Sequence, residues 1–172
     1  MDFLSLAEKR FSCRKFKNKN VEQKKIDLIL KAGLVAPTAV NKQPQKIFVL
    51  TDKDKLEKLK ECTKYTFDPP LCFVICVDKS KAYSRGYDQK NSAEIDASIV
   101  TTHMMLEATD IGLGTTWVMA FNPEKVRELF KIDDNLDIVA LLPTGYPADD
   151  VEISPLHKKY IEINEMAEYN SI

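Results

Sequence analysis

Apolar residues at helical spacing open the chain, before any strand-like run. Phe3, Leu6, Ala7 and Phe11 recur at three- and four-residue steps behind Asp2, which is placed to cap the first turn. A second helix is predicted with Asn20 as N-cap, Gln23 three residues on, and an apolar stripe of Ile26, Ile29, Leu30, Gly33 and Leu34 that Pro37 stops. The loop from Pro37 to Pro44 leads into Ile47-Phe48-Val49-Leu50, which reads as a strand. Asp52 caps a short helix carrying Leu56 and Leu59, and the continuous apolar run from Leu71 to Val77 has the pattern of a strand covered on both faces.

The segment from Asp78 to Asn91 is polar and reads as a mobile loop. From Ala93 to Ile111 the apolar residues spread around most of a long helix, which implies burial on most sides and makes it the central helix. Gly112-Leu113-Gly114 ends that helix, and Thr115 to Phe121 is predicted as a strand. Asn122-Pro123 is a cap followed by proline at the first helical position, with Val126, Leu129 and Phe130 inward. Ile138 to Leu142 gives another core strand, and the alternation of Tyr160-Ile161-Glu162-Ile163 suits an edge strand.

Two helices precede the first strand and no strand runs into GxGxxG, which disfavours a dinucleotide-binding Rossmann domain and favours a three-layer α/β sandwich. A length of 172 residues with 44% apolar content supports one core, so residues 1–172 are expected to form a single domain. With 25 basic and 26 acidic residues, nothing points to nucleic acid or an anionic membrane as partner. No apolar stretch reaches the roughly 20 residues of a membrane span, and Met1-Asp2-Phe3 does not open a signal peptide, so the protein is expected to be cytoplasmic.

Cys13, Cys62, Cys72 and Cys76 contain no CxxC pair, so the cysteines are read as core packing rather than as a zinc site or disulfide framework. Cys72 and Cys76 share one strand face. His103 and Glu107 sit four apart on the central helix, but a third ligand is missing and no metal is expected.

Three segments carry groups suited to an anionic, aromatic ligand. Arg10-x-Ser12-x-Arg14 offers two guanidinium forks and a hydroxyl to a phosphate if it forms a turn or an extended segment; alone, it reads more readily as a solvated basic turn. Asn41 and Gln43 carry amides that both donate and accept, as the pyrimidine edge of a flavin requires, or they are merely loop residues. Gly112-Leu113-Gly114-Thr115 allows close backbone approach to a flat ring, or is simply a helix C-cap.

Taken together and in order, these segments resemble the nitroreductase family. The resemblance rests on Arg10, Ser12, Arg14 and Phe16; on Ala36, Pro37, Thr38, Asn41, Gln43 and Pro44; on Asp96 in the central helix; on Gly112, Leu113, Gly114 and Trp117; and on Gly145, Tyr146 and Pro147. It spans about residues 3 to 163. It implies an α+β fold, a three-layer α/β/α sandwich with a central mixed, mainly antiparallel sheet, in a domain-entwined homodimer with flavin mononucleotide (FMN) at the subunit interface. It further implies that Arg10 and Ser12, with Lys158 or Lys159, hold the FMN phosphate, while Arg14 reaches the phosphate, the ribityl chain or the pyrimidine end. Pro37, Thr38 and Asn41 would approach the flavin from the other subunit, Gln43 would join them, and the backbone of Leu113, Gly114 and Thr115 would supply a hydrogen bond near the hydride-carrying nitrogen.

The implied activity is electron transfer from NADH or NADPH through FMN to a small oxidised acceptor (nitroaromatic, quinone or flavin-like) by a ping-pong mechanism. No protein residue would be catalytic in its own right. Asp96 and Trp117 are read as structural. This chain departs from the family in its compact Cys62–Ser92 region, in Gln45 where many relatives carry tryptophan, and in lysines where a tail arginine is frequent. A flavin-binding or electron-transfer module without efficient NAD(P)H turnover is the alternative, and a cofactor-free α/β binding protein the third reading.

Overall fold

Every residue of the run Leu71–Asp78 is buried, and the layers are organised around it. The computed structural model describes residues 2–170. Its elements in chain order are α1 (Phe3–Lys9), α2 (Gln23–Leu34), β1 (Gln45–Leu50), α3 (Lys53–Leu59), β2 (Leu71–Asp78), α4 (Ala93–Asp110), β3 (Gly114–Thr115), α5 (Pro123–Phe130), β4 (Leu136–Gly145) and α6 (Ile163–Met166). Short 3-10 turns lie at Ala39–Asn41 and Pro155–Lys158.

The sheet order is β1-β2-β4-β3 and each neighbouring pair is antiparallel. The parallel contribution comes from an isolated bridge between Ser12 and Thr115. Because strand side chains alternate, β2 divides its residues between two cores. Leu71, Phe73, Ile75 and Val77 join Ile26 and Ile29 of α2 and Ala97, Val100 and Met104 of α4. Cys72, Val74 and Cys76 join Leu59 of α3 and Val126 of α5 on the opposite face. Each large side chain so buried contributes about 1.5–3 kcal/mol. Burial pushes the thiols of Cys72 and Cys76 up to about 12, so both remain protonated, apolar fillers. All four cysteines are free and buried.

Asp2, Asp52 and Asn122 cap α1, α3 and α5 as predicted, each accepting from the backbone N–H three residues on. Asn20 does not cap α2. The helix starts at Gln23 behind Glu22, whose carboxylate is engaged instead by the Tyr146 hydroxyl at 2.5 Å. Ile26, Ile29 and Gly33 are buried as expected, but Leu34 is exposed at the end of the stripe. The predicted strand from Thr115 to Phe121 shrinks to two residues and a bridge from Val118 to Leu141. Facing it, Pro143 accepts from the Thr116 N–H but has no N–H to return, which breaks the ladder between them.

The 78–91 segment has its own hydrogen bonds: an ion pair of Arg85 with Asp88, and Asn91 donating to the Lys79 carbonyl and the Ser84 hydroxyl. Tyr160 to Ile163 does not add an edge strand, because no strand lies beside it; it runs exposed into α6. Among the described residues no helix is long and apolar enough to cross a membrane.

Candidate functional site

Beyond α1 the chain is extended and is stitched to the far end of the sheet. The Cys13 N–H donates to the Thr115 carbonyl (2.9 Å), Lys17 N–H to the Tyr146 carbonyl (2.8 Å), and Ala148 N–H to the Lys15 carbonyl (3.0 Å). Extension makes the side chains alternate, so Cys13 turns inward and is fully buried while Ser12 and Arg14 turn outward. Gly114 takes the inward thiol. A Cβ there would lie 2.6 Å from Cys13 Cβ and 2.8 Å from its Sγ, closer than packed atoms approach.

Arg10, Ser12 and Arg14 accordingly line one groove of about 330 Å³. Its other wall is the segment beyond β4, with Ser154, Leu156, His157, Lys159 and Tyr160. Two guanidinium groups and an ammonium meet there with three hydroxyls, and among the described residues no carboxylate lines the groove. Among the described residues none of Arg10, Arg14 and Lys159 takes part in an ion pair. Uncompensated positive charge around a concave surface is what attracts a phosphate. Of the two tail lysines, Lys159 lines the groove; Lys158 ends the 3-10 turn and does not. Ser154, His157 and Tyr160 were not singled out from sequence, although Ser154-Pro155 is the signature of a capped turn, which Ser154 makes by accepting from the Leu156 N–H.

Phe11 is shared with a smaller pocket of about 120 Å³ formed by Lys9, Thr109, Gly112, Leu113, Gly114 and Pro147. Gly112 adopts a left-handed φ of 81°, which ends α4. The Leu113 N–H is committed to the Ala108 carbonyl at 2.7 Å, and Gly114 and Thr115 pair with Gly145 and Thr144 of β4. Thr115 Oγ1 is buried and has no hydrogen-bond partner.

The loop holding Pro37, Thr38, Asn41 and Gln43 lies elsewhere. Asp96, almost completely buried near the start of α4, accepts from the Ala39 N–H (2.8 Å) and the Ser92 hydroxyl (2.7 Å). Thr38 Oγ1 accepts from the Gln43 N–H (3.0 Å), and the Gln43 amide donates to Asn41 Oδ1 (2.9 Å). Val40, Asn41 and Gln43 all carry positive φ, a conformation costly for L-residues that the Asp96 and Thr38 bonds maintain. The loop is therefore at the N-terminal end of α4, whereas Thr109 and Gly112 of the pocket are at its C-terminal end. Asp96 and Thr109 are thirteen positions apart in the helix, about 20 Å along the axis.

A further cavity of about 470 Å³ contains none of the predicted ligand-binding residues. It lies between Phe16–Asn20 and α3, and Lys60 spans its wall by pairing with Glu57 (2.8 Å) and Asp68 (2.7 Å).

Comparison with known proteins gives these positions a context. The sequence matches the description "Nitroreductase family" over residues 7–70 and 64–146. A Methanothermobacter thermautotrophicus protein provisionally named NADH dehydrogenase/NAD(P)H nitroreductase is 31% identical over 157 residues, covering 87% of this chain and 80% of its own. A nitroreductase family protein from Clostridium difficile 630 superimposes with a TM-score of 0.92 at 39% identity, with all of both chains covered. An FMN-dependent nitroreductase from Clostridium difficile R20291 superimposes with a TM-score of 0.81 at 27% identity, covering 99% of this chain and 100% of that one.

Proposed function

The chain belongs to the nitroreductase family, and from that premise we propose that it is an NAD(P)H-dependent FMN oxidoreductase whose cofactor phosphate sits in the groove between Arg10, Ser12, Arg14 and Lys159. The observation that carries this reading is the donor set of that groove: three cations, free of ion pairs among the described residues, and three hydroxyls with no carboxylate among them. This set fits a phosphate monoester. Phe11 continues the groove into the pocket at Gly112–Gly114, where the space beside Gly112 is open and leaves room for a flat ring.

The chemistry that bound FMN supplies is two-electron exchange, first with NADH or NADPH and then with a small nitroaromatic, quinone or flavin-like acceptor in ping-pong order. The protein's residues bind, orient and tune. Arg10 and Arg14 give charge-assisted bonds to phosphate oxygens, with Ser12 adding a neutral donor. A positive charge near the ring stabilises the reduced, anionic cofactor, a role we assign to Arg14. The roughly 20 Å of α4 between Asp96, which holds the Pro37–Gln43 loop, and Thr109, which lines the pocket, is too far for one ring system to touch both within one chain. We therefore assign Pro37, Thr38, Asn41 and Gln43 to the site of the partner subunit, so that each site of a homodimer draws on both chains.

The visible spectrum tests this directly. Protein supplemented with FMN should show flavin absorption that bleaches when NADH or NADPH is added anaerobically and returns with a quinone or nitroaromatic acceptor. Bands that persist with either nicotinamide would instead mean a binding module, and failure to retain FMN would remove the assignment.

A further inference from the structure

His157 has no place in the reading of the groove given so far, yet among the described residues after Ser154 it alone is half-buried rather than exposed in the single chain. Its imidazole Nε2 lies 3.0 Å from the Glu8 carbonyl oxygen. That carbonyl belongs to the last turn of α1, where carbonyls have no helical partner, so an Nε2–H donated to it satisfies an acceptor that the helix leaves open. The other backbone hydrogen bonds around the turn Pro155–Lys158 are local: His157 N–H to Ser154, Lys159 N–H to Leu156, and Ser154 Oγ accepting from Leu156. They make the turn rigid without fixing it to anything.

We propose that His157 is a positioning residue for the phosphate: its bond to Glu8 pins the Pro155–Lys158 turn onto α1 and so holds Lys159 across the groove from Arg10 and Arg14. This rests on the FMN reading above. Without the tether, Lys159 would sit on a segment whose neighbours from Lys158 to Tyr169 are all exposed. It would then have to be ordered by the ligand itself, at the expense of affinity.

The test is fluorescence titration of FMN and of riboflavin, which lacks the phosphate, against wild type, H157F, H157Q, K159A and H157F/K159A. H157F keeps a ring of similar size and removes the donor. It should weaken FMN binding about tenfold, the scale of one hydrogen bond lost, and leave riboflavin unchanged. H157Q keeps a side-chain N–H and should recover most of that loss. Because His157 acts through Lys159, adding H157F to K159A should cost less than about a further twofold. FMN binding by H157F equal to wild type, equal losses for FMN and riboflavin, or additive losses in the double variant would each overturn the proposal. A wild-type protein with no preference for FMN over riboflavin would overturn the groove assignment itself, and that result is read before any variant is compared. If H157F does not fold, H157A against wild type and H157A/K159A against K159A decide on the same criterion of additivity.

Discussion

Arg10 and Arg14 stand on the outward side of an extended segment whose inward residue, Cys13, is locked against Gly114. Their orientation therefore comes from the sheet and not from each other, and both can be removed without disturbing the core. The double substitution R10A/R14A should abolish FMN retention, each lost charge-assisted bond costing about 1.5–3 kcal/mol, while circular dichroism and melting stay near wild type. A second residue-level consequence concerns Glu22. The hydrogen bond from the Tyr146 hydroxyl, chiefly, lowers its carboxyl to about 2 from an ordinary 4.5. A depressed folded value means that the contribution to stability is fully present above about pH 4.5 and is lost as pH falls toward about 2. Urea denaturation of wild type and E22Q should therefore give a difference that is flat above pH 4.5 and shrinks below it. A difference independent of pH down to 2 would contradict this.

At the scale of elements, local signals located most of the structure and failed where a partner in space decides. Asp2, Asp52 and Asn122 were legible because a cap is a contact over three residues. The end of β3 was not, because it depends on Pro143, a residue of another strand. Asn20 had the right side chain but lost the cap to Glu22, whose role is set by Tyr146, 124 residues away. In the candidate site, alternation revealed Arg10, Ser12 and Arg14 as one face, whereas His157 carries no periodic signal and is identified only by what it touches. The Pro37–Gln43 loop belongs to the same category: its conformation rests on the buried carboxylate of Asp96. D96A should strand the Ala39 N–H and destabilise the protein by about 2 kcal/mol. Hydrogen exchange at Ala39 should accelerate about tenfold or more, with amides in the middle of β2 unaffected at early times.

On the scale of the whole molecule, apolar side chains are exposed where a single chain gives them nothing to cover. Phe3 is 71% exposed on α1, Val40 73% on the loop at the start of α4, and Ile163 71% on α6. Exposed apolar residues like these suit the homodimer proposed above, and they explain why the hydrophobic periodicity of α1 and of the tail is present without burial. Sedimentation at micromolar concentration should give twice the 19.6 kDa chain mass. A monomer under those conditions would leave the Pro37–Gln43 loop without a flavin to contact.

The groove also imposes an order on the protein's own making. Its first wall follows α1, and its second is fastened by a contact between Glu8 and His157, 149 positions apart in sequence. Closing a loop of that length is favourable only once β3 and β4 exist to receive Cys13 and Lys17. A ribosome working from the N-terminus thus completes the sheet before it releases the residues that close the proposed phosphate groove. Cofactor loading is consequently a late event in biogenesis, and a shortage of flavin should leave behind folded apoprotein rather than stalled, unstructured chains.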